Sequence, residues 1–331
     1  MPTYKRLQNR IAENALILPF MAVFTSGVWL LCGLITQKWW IQFLCFAASV
    51  YLMVETSNSN ALLRVRSRMV SAVFMALSCA ACFLFGSLTV SIVQLCFITS
   101  LLLLFHTYQD KQSSGLTFYS FLCIGLSSLV FPQIIFFVPL IWLLMGTQLQ
   151  SLSLRTWLAS VVGVLTPYWL LLPYLLYLQD FSWLYQHVTA LASFTPSSQA
   201  RPAMMSAGRI AVFIFIVLLC LTGIIHFWHR SFEDKIRIRL LYGFFTCMSL
   251  ATIAFMLLQP QHFDTLLCML TVCASPLIAH FLTLTNSRLT NIVFIACVVI
   301  TLLLIVLHFV EPWIGSLSMQ ISTLWNGLLT S

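Results

Sequence analysis

The stretch LTFYSFLCIGLSSLVFPQIIFFVPLIWLLM, residues 116–145, decides how the whole chain lies. It is too long for one untilted membrane helix and short for two, since about twenty residues cross the hydrocarbon. Pro132 stands in its middle, where it removes a backbone donor and disfavours helix at Phe131. The basic residues downstream choose between one kinked helix and two short ones. If the chain turns at Phe131-Pro132, then Arg155, Arg230, Lys235, Arg237, Arg239 and Arg288 share one side, with Arg201 and Arg209 opposite. A single crossing would exchange the two sets. Cytoplasmic loops retain Lys and Arg, so the residues predict a short-helix hairpin.

The rest of the chain reads in the same terms. With 60% hydrophobic and 7% charged residues and a mean hydropathy of +0.98, no aqueous fold hides this much apolar surface; the expected solvent is a bilayer. Eleven apolar segments are read at 15–35, 39–54, 70–85, 88–106, 116–130, 133–145, 157–178, 210–228, 240–258, 265–284 and 292–309. The expected fold is all-α: a single polytopic transmembrane domain over 1–331 with ten or eleven helices, N-terminus inside and C-terminus outside. Thirteen of the sixteen Lys and Arg then fall on the cytoplasmic side, against Lys38, Arg201 and Arg209 outside. The same bias accounts for the net charge of +8 without nucleic acid, because the basic residues are scattered over short loops. Lys5, Arg6 and Arg10 precede an apolar run without an A-x-A-like cleavage site, which predicts a retained first helix.

Two further segments carry helical periodicity outside the core. Phe181, Leu184, Val188 and Leu191 recur at three- and four-residue spacing within an external loop over 179–209. Ile314, Leu317, Ile321, Leu324 and Leu328 do so in an external tail over 312–331, between Trp313 and Trp325. Both predict amphipathic helices at the outer interface or caps on the bundle. All eleven cysteines lie in apolar segments, and the lone CxxC of Cys79 and Cys82 sits mid-helix without a second pair, as packing residues do.

Three stretches carry a family resemblance: NALLRVRSRMVSAVFMALS, FYSFLCIGLSSLVFPQIIFFVPLIWLL and LRTWLASVVGVLTPYWLLLPYLL. A basic loop entering a short helix, a run of short helix pairs and an apolar segment broken at proline make residues 60–178 resemble the core of the GT-C class of polyprenyl-phosphate-sugar-dependent glycosyltransferases. The same layout looks still closer to a family of polytopic Bacteroidota inner-membrane proteins. The resemblance implies a cell inner-membrane location, a role in cell-envelope glycan or lipid metabolism, and a polyprenyl-linked substrate handled at the external face. It also implies a carboxylate in a long first external loop. Here that loop is Thr36, Gln37 and Lys38 and carries none, so a shared scaffold need not bring the class's catalysis with it.

Candidate chemistry is sparse. The loop Gln259-Pro260-Gln261-His262-Phe263-Asp264 sets a His and a carboxylate two apart, the types needed for a general base and its orienting acid. His262 and Asp264 are therefore the candidate catalytic residues. Asp180, His187, Arg201 and Arg209 are the candidate substrate-binding residues, with the two arginines suited to a lipid phosphate. The bland reading is that His262 and Asp264 cap the following helix. No zinc motif, Gly-rich phosphate loop or Ser-His-Asp spacing appears, and no cofactor or resident metal is expected. The expected partners are membrane lipids, polyprenyl phosphate among them, or an unidentified envelope protein. The competing function is a non-catalytic structural or assembly subunit. A lipid or small-molecule transporter fits less well, because it needs a polar, water-accessible cavity that the sequence does not mark, and the lack of a chain of ionisable groups argues against ion coupling.

Overall fold

The computed structural model describes residues 7–14, 16–65, 67–179, 181–192 and 206–329; nothing is described of the side chains beyond Val310. The loop from 193 to 205, Asp180, Arg201, Lys5, Arg6, Arg66 and the side chains of the predicted amphipathic tail all lie outside the described residues. Within them the chain is helical throughout, with no strand. The helices are α1 (Leu7–Glu13), α2 (Ile17–Leu31), α3 (Trp40–Ser59), α4 (Met69–Ala80), α5 (Leu88–His106), α6 (Ser114–Val130), α7 (Val138–Thr147), α8 (Leu154–Leu178), α9 (Ser182–Ala192), α10 (Ala207–Arg230), α11 (Ile236–Leu258), α12 (Phe263–Leu284) and α13 (Arg288–Leu329).

Seven of these, α3, α5, α8 and α10–α13, contain stretches long and apolar enough to cross a membrane. Large apolar side chains such as Phe20, Val23, Leu44, Leu170 and Leu303 stand exposed around the bundle. Only lipid covers a girdle of that kind, and the chain is a membrane protein.

The centre is α12. In its membrane window 94% of the residues are buried, and α4, α5, α10 and α11 pack around it. Outside that ring, α3 and α6 lie on α5, α8 lies on α6, and α2 and α13 flank α4. Many buried hydroxyls return to their own helix, as Thr271 Oγ1 does to the Cys268 carbonyl at 2.7 Å, which satisfies them without water.

The 116–145 stretch folds back on itself. α6 ends at Phe131, whose backbone (φ −135°, ψ 86°) leaves the helix. Pro132 then opens a 3₁₀ turn over Pro132–Phe137 that runs into α7. The chain regains the end it left: Gln109 N donates to the Leu149 carbonyl at 2.8 Å, and Arg155 Nη1 donates to Gln112 Oε1 at 2.7 Å. The six-residue 3₁₀ turn and ten-residue α7 reach roughly 27 Å together, enough to match α6.

Two glycines let α6 and α8 run side by side in the same direction. A Cβ on Gly163 would lie 2.6 Å from the Phe118 carbonyl, and one on Gly125 would lie 2.7 Å from that of Val164. Small residues at such contacts let helix backbones approach where lipid supplies no hydrophobic drive. Across the other face of α6, Ser120 Oγ donates to the Ser100 carbonyl of α5 at 2.9 Å.

Following the helices in turn sorts the polar groups between two ends. Arg10, Arg64, Arg68, Lys111, Arg155, Arg230, Lys235, Arg237, Arg239 and Arg288 gather at one, called here the basic end, while Lys38 and Arg209 lie at the far end. α1 docks at the basic end and α13 runs towards the far end. Replacing Gly163 by Val should destabilise the protein by about 1–3 kcal/mol through overpacking against backbone, whereas Gly115→Ala, with nothing within 4 Å of the added carbon, should be neutral or better. Thermal unfolding of the two variants in detergent checks the difference.

Candidate functional site

At the far end, α10 and α12 begin next to each other and run parallel, as the pairings Phe213–Phe263 and His226–His280 show. Ser206 caps α10, its Oγ accepting from Arg209 N at 3.4 Å. This sets Arg209 in the first turn of α10, beside Asp264 in the first turn of α12, where a carboxylate also suits the helix dipole. Arg209 Nη1 lies 3.2 Å from Asp264 Oδ1, an ion pair whose geometry falls short of a directed hydrogen bond. The guanidinium also lies 4.9 Å from the centre of the Phe83 ring. Phe83, Ser206, Gly208, Arg209, Leu304 and His308 border a recess of about 200 Å³.

His262 points elsewhere. Its ring meets Phe131 edge-on at 5.4 Å, and its Nε2 lies 3.2 Å from Gln261 Nε2. Two positions apart at the start of a helix are turned about 200° from each other. His262 thus faces the Phe131 turn while Asp264 faces α10, and among the described residues the two make no contact. The cap reading does not hold either: the N-cap position of α12 is His262, and its side chain makes no capping bond. The structure pairs Asp264 with Arg209 and leaves the expected acid–base couple apart.

His187 belongs to a third arrangement, on α9. Its Nε2 lies 3.0 Å from Tyr168 Oη, which lies 2.8 Å from Ser128 Oγ. Ser128 gives its only hydroxyl hydrogen to the Gly125 carbonyl at 2.6 Å. Tyr168 therefore donates to Ser128, and His187 donates to Tyr168 as the Nε2–H tautomer. Trp183 stacks on the His187 ring at 4.7 Å, and Gln133 Nε2 donates to the Ala190 carbonyl at 3.4 Å. These bonds dock α9 on the hairpin tip. Asp180 and Arg201, the remaining candidates, lie outside the described residues.

The densest polar cluster lies at the other end, where in the sequence the basic residues marked only the orientation. Asp234 is buried, and each of its oxygens has a partner: Arg64 Nε donates to Oδ1, and His280 Nε2 lies 3.1 Å from Oδ2. Arg64 Nη1 reaches Glu233 at 2.7 Å, and Arg230 pairs with the same carboxylate at 2.7 Å. Arg237 Nη2 donates to Asn60 Oδ1 at 2.9 Å and its guanidinium lies over the Tyr108 ring. Together these tie the 60–68 and 231–237 loops to α12. Beyond Asp234, His280 Nδ1, His226 Nδ1 and Tyr242 Oη have no hydrogen-bond partner among the described residues, and both neighbouring rings lie within 5.4 Å of His280. The available signal was Glu233-Asp234, two adjacent acids in a chain that has eight in all.

Among the described residues no three His, Cys, Asp or Glu side chains converge to hold a metal ion. Comparison with protein-family models, with curated proteins and with solved structures finds no match.

Asp234→Ala removes one of the two carboxylates that hold Arg64 and leaves buried His280 Nε2 without its acceptor, so it should cost about 1–3 kcal/mol; a variant that keeps the wild-type melting temperature would refute this role of Asp234. Burial lowers the pKa of His187, outweighing an opposing backbone hydrogen bond at Ser128. With its folded pKa depressed, His187 stays neutral and α9 docked above the ordinary histidine value of about 6.5, and docking weakens as pH falls below it. Protection of the α9 amides, corrected for the intrinsic pH dependence of exchange, should therefore fall as pH drops below about 6.5, and His187→Gln should remove that loss.

Proposed function

We propose that this chain is a multi-pass protein of the cell inner membrane, basic end in the cytoplasm, that binds a polyprenyl-linked phosphate lipid at its external face. Its setting would be cell-envelope glycan or lipid metabolism. The observation that carries this reading is the recess at Arg209. A guanidinium is held at the rim of a cavity of mixed polar and apolar lining by an aromatic ring and a carboxylate, beside two helix N-termini. A planar, permanently charged fork beside apolar side chains suits a phosphate whose tail stays in the bilayer. The distribution of Lys and Arg between the two ends supports the orientation. The GT-C resemblance of residues 60–178 supplies the choice of an isoprenoid lipid over other phosphate lipids.

Binding is better supported than catalysis. Asp264, the described carboxylate of this end, is neutralised by Arg209, and His262 faces away from it. That arrangement also favours the second reading, a non-catalytic subunit that uses the lipid, or a protein partner, to take its place in an envelope assembly.

Native mass spectrometry of gently purified protein tests the proposal. A stoichiometric polyprenyl-phosphate species should be retained, and Arg209→Ala should weaken its retention by about tenfold or more, as loss of a charge-assisted contact does. Equal retention by the variant sinks the Arg209 site. A stoichiometric protein with no such lipid transfers support to the assembly reading.

A further inference from the structure

A second cavity lies at the opposite end, between α2 and α13, with α4, α10 and α12 as its floor. Its volume is about 330 Å³, at the lower limit for small-molecule sites. Phe20 and Phe24 of α2, Ala76 of α4, Leu282 of α12, and Phe294 and Val298 of α13 bound it. Phe20 and Val298 are exposed on the bundle surface, so the groove opens sideways into the hydrocarbon. A transmembrane helix, about 10–12 Å across with its side chains, is too wide for it. An extended acyl chain is not.

The amino-terminal helix α1 docks at the same end of the bundle as this groove. Gln8, fully buried, donates through Nε2 to the Leu282 carbonyl and to Thr285 Oγ1, and through its backbone N to Asn291 Oδ1 at 3.2 Å. Asn9 Nδ2 adds a bond to the Thr285 carbonyl at 3.3 Å. α1 is thereby clamped onto the α12–α13 turn, which sets the exposed Arg10 at the same end as the groove's opening. Arg68 immediately precedes Met69, a lining residue, and Arg288 starts α13, which forms one wall. All three arginines are exposed, and none has a carboxylate partner among the described residues. The basic end's other arginines behave differently: Arg64 and Arg230 are consumed by Glu233 and Asp234.

We infer that this groove is a binding site for an anionic bilayer phospholipid, one acyl chain lying between α2 and α13 and its phosphate meeting Arg10, Arg68 and Arg288. The apolar walls accept the chain, and the unpaired guanidinium groups at headgroup depth favour a net negative head over a zwitterionic one. The site is independent of the Arg209 recess, which opens at the other end of α10 and α13.

The test titrates the purified full-length protein in detergent with phosphatidylglycerol or with phosphatidylcholine of identical chains, read by native mass spectrometry. One phosphatidylglycerol should be retained per protein, about tenfold or more in preference to phosphatidylcholine. Val298→Trp, on a lipid-facing wall where folding is tolerant, and Ala76→Phe should each fill the groove and reduce retention about tenfold. Arg68→Glu with Arg288→Glu should abolish the preference between the two lipids. Arg209→Ala should leave this lipid in place, which separates a failure here from a failure of the far-end site. Equal retention of both lipids by the wild type, or retention unaffected by Val298→Trp, overturns the inference. So does displacement of phosphatidylglycerol by a polyprenyl phosphate at equal concentration, because it assigns the groove to a different lipid.

Discussion

Everything in this bundle is arranged so that α12 never meets lipid. A membrane gives no hydrophobic reward for bringing two apolar helices together, since hydrocarbon solvates both equally well. What holds the bundle is close packing, and α12 has the side chains for it: small Ala, Ser, Cys and Thr alternate with Leu and Met along a helix buried on every side. Gly223 of α10 lies against the backbone at Leu277, where an added Cβ would sit 2.9 Å from the Leu277 carbonyl. The glycines of α6 and α8 repeat the device one layer out. Pro276, which removes a backbone donor in mid-helix, is tolerated in α12 because protein surrounds the carbonyl it frees.

A buried central helix also fixes where charge is allowed. His280 is the one strongly polar side chain that α12 carries close to its basic end, and it is fully buried. Burying it requires a partner, which is Asp234; burying Asp234 in turn requires Arg64. The basic end is thus organised from the core outward, each group supplying a hydrogen-bond or ion-pair partner to the one inside it. The far end has no such chain. Its described carboxylate pairs with one arginine at a half-open rim, and its histidines rest on aromatic rings.

Local pattern carried much of this fold. The segment 88–106 coincides with α5, and the proline in 116–145 marks the turn that the structure makes, because both features are written in consecutive residues. The periodic run at Phe181, Leu184, Val188 and Leu191 likewise became α9. Pairings across the bundle were not legible. Arg64 and Asp234 are 170 residues apart, and nothing local in HRSFEDKIRIR distinguishes a solvated loop from one plugged into the core. The far-end site failed for a different reason. Spacing of two reads as proximity along the sequence, but at a helix start it turns side chains to nearly opposite faces. His262 and Asp264 were separated by the same helical geometry that made their helix recognisable.

The two ends therefore point to different kinds of work. A cluster in which Glu233 and Asp234 match Arg64 and Arg230 fixes loops and leaves those charges little attraction for a ligand. Unmatched or half-matched guanidinium groups do attract one, and here they occur beside cavities: Arg209 at a mixed recess at one end, Arg68 and Arg288 near the apolar groove at the other. No soluble substrate needs a hydrocarbon-facing wall, whereas an amphiphile needs both a wall and a charge at its edge.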